Sequence, residues 1–184
     1  CPFRSVMIGG CIERGDYEQA NGPYYPQSVS ISCAGIDAAN SLNALRDLVY
    51  ERKKVSMKDL RKALAANFEG FEDIQKMCLN APKHGNDDLK TDELTRRMYA
   101  DAADLYDFYG PDYAGRKGKF DAYSMSIHNY MGKLTGALPS GRKGGVALTD
   151  GSVSATPGTD HEGVTALVNS AARVIDTVRF ASNH

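Results

Sequence analysis

An α/β chain, rich in helix and sparing in strand, is what this sequence predicts, and three observations carry that reading. Apolar residues recur at steps of three and four in several segments, most plainly Ala39, Leu42, Leu45, Leu48 and Val49. Two other stretches alternate apolar with polar residues, around Val29 and Ile31 and more loosely from Phe120 to Tyr130. Gly- and Pro-rich connectors separate these blocks, so helices and short strands follow one another along the chain. The strand candidates are too few to close a barrel by themselves.

The elements follow in order. Phe3, Val6, Met7 and Cys11 predict an opening helix that Gly15 ends. Asn21 to Pro26 is rich in turn formers, and the strand at Val29 and Ile31 comes next. A helix is expected from Ile36 to Lys53. Another runs from Met57 to Phe68, started by Ser56 with Asp59 three residues on. Phe71, Ile74, Met77 and Cys78 predict a short helix that Pro82 and Gly85 stop. Thr91 is placed to cap a long helix through Leu94, Met98, Ala102, Leu105 and Tyr109, closed by Gly110 and Pro111. A strand over Phe120 to Tyr130, loops at Pro139 to Gly145 and Asp150 to Gly163, and a helix from Val164 to Ile175 complete the pattern.

Composition narrows the function. The 184 residues carry 22 basic and 23 acidic side chains, a net charge of −1, which gives no field to attract nucleic acid or an anionic membrane. No apolar run approaches the roughly 20 residues that span a bilayer, and the first residues are too charged for a signal peptide. The expectation is a cytoplasmic protein with no nucleic-acid or membrane partner. The four cysteines, Cys1, Cys11, Cys33 and Cys78, form no C-x-x-C pair, and the histidines are scattered, so no metal site is expected. Reduced thiols suit that compartment. The chain opens on Cys1 in mid-pattern and is read as cut at its start.

Specific motifs go further. Leu134-Thr-Gly-Ala-Leu-Pro-Ser-Gly-Arg142-Lys143 is followed by Leu148-Thr-Asp150-Gly-Ser-Val-Ser154, Gly158-Thr-Asp160 and Gly163-Val-Thr-Ala166. Upstream lie Cys11-Ile-Glu-Arg-Gly15, Asn40-Ser-Leu42 and Asn80-Ala-Pro-Lys-His-Gly-Asn-Asp87. In this order the motifs resemble the glycyl radical enzymes of the pyruvate formate-lyase and diol dehydratase superfamily, which includes choline lyases and arylacetate decarboxylases. The family shows Asn-Ala-Pro-Lys-Tyr-Gly-Asn-Asp where this chain has His84 in place of the tyrosine.

The resemblance implies that residues 1–184 are part of a ten-stranded barrel domain from the C-terminal half of such an enzyme. The family's thiyl loop, Gly-Cys-x-Glu, would lie upstream, and its glycyl segment, Arg-Val-x-Gly-Tyr, downstream. Gly10-Cys11-Ile12-Glu13 mimics the thiyl loop, but its neighbours resemble a helix after it. No catalytic residue is therefore expected here, with Cys11 and Glu13 as the alternative. Tyr123 is the leading substrate-binding candidate, since a phenol offers a hydrogen bond and an apolar wall together. Ser126, Ser32 and Cys33 are the further candidates, and Ser30 to Gly35 follows neither the dehydratase nor the decarboxylase pattern closely. Gly141-Arg142-Lys143 reads as a loop bracing the barrel.

The implied activity is anaerobic radical cleavage of a C–C, C–O or C–N bond in a small organic substrate, with this chain inactive alone. No cofactor is expected in it: the radical would reside in the missing glycyl domain, installed by a radical S-adenosylmethionine activating enzyme. Its partners would be the rest of the enzyme chain, that activase and a second copy in a homodimer. The alternative is a non-catalytic or split-subunit interaction protein derived from the family.

Overall fold

The computed structural model describes residues 2–26, 28–112, 115–116, 118–122, 126–151 and 153–180. Helix dominates. Two single-turn helices, α1 (Pro2–Ser5) and α2 (Cys11–Arg14), replace the one opening helix expected from the pattern. The break falls at Gly10, whose φ of 100° puts it in the left-handed region that glycine tolerates. Strand β1 (Ser28–Ile31) leads into α3 (Gly35–Leu45), which continues as a π-helical stretch, Arg46–Glu51. Then come α4 (Met57–Ala65), α5 (Glu72–Leu79), α6 (Leu89–Tyr109), β2 (Gly118–Asp121), α7 (His128–Leu134) and α8 (Val164–Val174).

Local chemistry explains most boundaries. Ser56 Oγ accepts from the Asp59 amide at 3.0 Å and starts α4 as the sequence predicts. At α6 the cap is Asp88, not Thr91. The Asp88 carboxylate accepts from the Thr91 amide at 2.9 Å, and Thr91 is buried inside the first turn. A carboxylate three residues earlier outcompetes the hydroxyl and also suits the positive end of the helix dipole.

The strand expected over Phe120 to Tyr130 is corrected. Strand β2 closes at Asp121, and His128 opens α7. The reason is tertiary. Gly132 lies so close to the Val146–Leu148 backbone that a Cβ on it would sit 2.4 Å from the Val146 carbonyl. Arg142 then draws the carbonyls of Gly132 (2.8 Å) and Gly136 (2.9 Å) onto its guanidinium.

β1 and β2 pair in parallel, with Ser28 opposite Gly118 and Ile31 opposite Asp121. The crossover between them contains α3 to α6, as parallel pairing requires. Two apolar clusters hold the helices. One gathers Leu48, Leu60, Phe68 and Cys78 among α3, the π-helical stretch, α4 and α5. The other packs Ile36, Tyr99, Ala103, Ala122, Val174 and Phe180, joining α3, α6 and α8 beneath the two strands. Inside it Tyr99 meets Phe120 edge-on at 6.1 Å, and Phe120 meets Phe180 at 5.5 Å.

Gly35, the first residue of α3, is squeezed against this cluster: a Cβ there would lie 2.2 Å from the Tyr99 hydroxyl oxygen. Gly35→Ala is expected to cost about 1–3 kcal/mol by overpacking, read as a fall in the urea midpoint.

Candidate functional site

The parallel pair brings the end of β1 and the end of β2 to one side. The Ser32 amide donates to the Asp121 carbonyl at 2.9 Å, one step beyond the last paired residues. Ser32 is half-buried and Cys33 exposed. Ala34 then adopts φ 60°, ψ 29°, a left-handed conformation that an L-residue occupies only under constraint. In open α/β sheets and barrels alike, ligands gather where parallel strands end. Beside this turn opens a hollow of about 560 Å³ lined by Ala34, Asp37, Leu42, Met98, Leu138 and Leu148. Tyr123 follows Ala122 in sequence but lies outside the described residues.

Ser126 is exposed in the turn before α7 and so leaves the strand geometry that the alternation implied. The correction moves His128 as well. It begins a helix and borders a second cleft, of about 390 Å³, with Lys83, Arg142, Asp150, Leu148 and Thr156. Arg142 braces its own loop: besides Gly132 and Gly136, it reaches the Ala147 carbonyl at 3.4 Å.

Cys11 and Glu13 sit far along the chain from this turn, on α2. The Cys11 thiol is buried against Gly22, and burial, followed by the nearby carboxylates of Glu18, Asp16 and Glu13, raises its pKa. Glu13 turns back to accept from the Gly10 amide at 3.1 Å, as a helix-capping carboxylate does.

Next to α3 lies a buried polar network that the sequence reading did not foresee. Asn40, on α3, donates to Thr156 Oγ1 at 3.1 Å and accepts from the His84 amide at 2.9 Å. His84, fully buried, places Nε2 2.9 Å from the Val153 carbonyl and Nδ1 3.4 Å from Asp92 Oδ1. The other oxygen of Asp92 accepts from Arg173 of α8 at 3.0 Å, and Arg173 also pairs with Asp87. Asn86 Oδ1 accepts from the amides of His161 (2.8 Å) and Glu162 (3.2 Å). The loop from Asn80 to Asp88 is thereby tied to α3, α6, α8 and the Asp150–Gly163 loop. The clue available in sequence was the density of polar residues in an Asn-Ala-Pro-Lys-His-Gly-Asn-Asp run between helices.

Burial displaces Asp37 and Lys83 from ordinary titration. Burial raises the Asp37 carboxyl against the stabilising hydrogen bond it accepts from the Thr149 amide at 2.7 Å. Burial lowers the Lys83 ammonium to about 8, although it donates to the carbonyls of Cys78 (2.6 Å) and Ala81 (2.8 Å).

With this geometry in hand, comparison with known proteins gives the family. The pyruvate formate lyase-like family model matches residues 1–132. Trans-4-hydroxy-L-proline dehydratase of Clostridioides difficile is 35% identical over 180 residues, covering 95% of this chain and 22% of its own length. Indoleacetate decarboxylase of Tractidigestivibacter scatoligenes is 32% identical, with 97% of this chain and 23% of its own length covered. The glycerol-bound B12-independent glycerol dehydratase of Clostridium butyricum superposes with a TM-score of 0.81 at 36% identity, over 92% of this chain and 21% of its own. The chain belongs to the pyruvate formate lyase-like family of glycyl radical enzymes, and its α/β fold is part of their barrel. It spans less than a quarter of the length of these relatives. Among the described residues no helix is long and apolar enough to cross a membrane.

Two outcomes test the network. Asp92→Asn is expected to destabilise the fold by about 1–3 kcal/mol, because Arg173 loses its charge-assisted bond to a carboxylate that is 1% exposed while keeping Asp87. For Lys83, the unfolded chain holds the proton up to about 10.5 while the folded chain releases it at about 8, so its contribution to stability rises with pH across that window. The urea midpoint of wild type relative to Lys83→Met should therefore move in favour of wild type between pH 8 and pH 10.

Proposed function

We propose that this chain is part of the substrate-cavity wall of a glycyl radical enzyme that breaks a C–C, C–O or C–N bond in a small organic substrate. The observation that carries the reading is the parallel alignment of β1 and β2, which brings the Ser32–Cys33 turn beside Asp121 and Ala122. Kinship with dehydratases and a decarboxylase supports it. On this reading residues 1–184 form one piece of the barrel domain, and the thiyl cysteine and glycyl radical lie elsewhere in the polypeptide. The chain alone is inactive and binds no cofactor.

The stored radical belongs to the glycyl domain, and a radical S-adenosylmethionine activase installs it. The full enzyme works as a cytoplasmic homodimer under anaerobic conditions. This chain's own residues supply shape and polarity. Ser32 offers a hydroxyl, Cys33 a thiol and Tyr123 a phenol to the substrate, while Ser126 stands at the rim as an exposed hydroxyl. Dry walls matter because a substrate radical reacts with whatever reaches it.

The experiment is anaerobic activation of the full-length enzyme, detection of the glycyl radical by electron paramagnetic resonance, and turnover of vicinal diols, hydroxyproline and arylacetates. Tyr123→Phe should leave the radical signal intact and lower kcat/KM by about tenfold, the effect of roughly 1.4 kcal/mol in the transition state. Unchanged kinetics in this variant would remove Tyr123 from the cavity.

A further inference from the structure

The turn after β1 combines two demands. Ala34 holds a left-handed conformation, and Gly35 leaves no room for a side chain. The group that takes this room is the Tyr99 hydroxyl: a Cβ at Gly35 would lie 2.2 Å from it and 2.9 Å from Ser32 Oγ. The two hydroxyls hydrogen-bond to each other.

Tyr99 itself has no freedom. It is 1% exposed, its ring meets Phe120 at 6.1 Å and Phe180 at 6.3 Å, and its helix is fixed through Asp92 and Arg173. Burial pushes its phenol well above the ordinary range, so it stays neutral. A buried hydroxyl adds a desolvation cost that a phenylalanine in the same space would avoid. Its position between Ser32 and Gly35 gives that hydroxyl a task.

We infer that Tyr99 is a positioning residue, whose hydroxyl fixes the Ser32–Cys33 turn at the end of β1 and so sets where those two side chains stand in the substrate cavity. The inference rests on the cavity-wall reading above. Tyr99 does not touch substrate; it acts through Ser32.

The test needs no substrate. In the full-length, unactivated enzyme, Cys33 is alkylated with iodoacetamide and its rate followed by peptide mass spectrometry. The buried Cys11 and Cys78 thiols of the same molecules serve as internal references. Tyr99→Phe should raise the Cys33 rate by about fivefold, the opening expected on losing one hydrogen bond, with the Cys11 and Cys78 rates unchanged. Ser32→Ala removes the same bond from the outer side and should do the same even if the Tyr99 variant folds poorly. The double variant should add nothing further.

Each other result decides against the inference in its own way. An unchanged Cys33 rate in both single variants means the hydroxyl pair does not set the turn. Parallel rises at Cys11 and Cys78 mean that Tyr99 only supports the core. A Cys33 that resists alkylation in wild type and variants alike means that losing the hydroxyl pair does not free the turn, which overturns the inference and leaves the cavity-wall reading standing.

Discussion

The carboxylate of Asp92 is the point on which this structure turns. It is 1% exposed, and it meets His84 on one side and Arg173 on the other. A buried carboxylate without partners is too costly to keep, so the fold must bring Arg173 to it, with the His84 ring alongside at 3.4 Å. Doing so fixes three things together: the Asn80–Asp88 loop through His84, helix α8 through Arg173, and the level of α6 on which Asp92 sits. The Asp87–Arg173 pair and the Asn86 contacts with His161 and Glu162 then follow, because their backbone is already in place.

From that anchor α6 acts as the support under the strands. One face carries Tyr99 and Tyr106, and both hydroxyls press on glycines. A Cβ at Gly35 or at Gly118 would come within 2.2 Å of the tyrosine oxygen below it. The helix therefore touches β2 and the turn after β1 through phenol groups at backbone distance, closer than any side chain would allow. This is why a displacement of α6 at Asp92 would be felt at Ser32, two contacts away, with little in between to absorb it.

Elements with a single wide apolar stripe were legible in the sequence: α4, α6 and α8 begin and end close to where spacing and caps put them. The misreadings have physical causes. From Ser126 to Leu134 the apolar residues fit either period, and only the fit of Gly132 against Val146–Leu148 and the grip of Arg142 select a helix. Thr91 looked like a cap because it precedes the apolar stripe, while the stronger acceptor, Asp88, lies three residues earlier in a polar run. The family resemblance picked out Ser32 and Cys33, and the parallel pairing of β1 and β2 sets them beside Asp121. Tyr99 was invisible as a site-related group, since a tyrosine on an apolar helical face looks like core until its hydroxyl is seen against a glycine.

The two devices differ in kind, and the difference fits their places. Around Asp92 the groups are polar, buried and numerous, and they tie together α3, α6, α8 and two loops, so the region yields only with the fold. At the end of β1 the constraint is lighter: one hydroxyl pair, one left-handed alanine and one glycine with no space above it. A turn held this way can be retuned by exchanging a residue or two without disturbing the helices below. Ser30 to Gly35, the stretch that matches neither the dehydratase nor the decarboxylase pattern closely, ends in this lightly held turn. The motif-rich loops belong to the part that cannot move. That separation lets the turn change without the anchor, and it runs along α6, from Asp92 to Tyr99 and across its hydroxyl to Ser32.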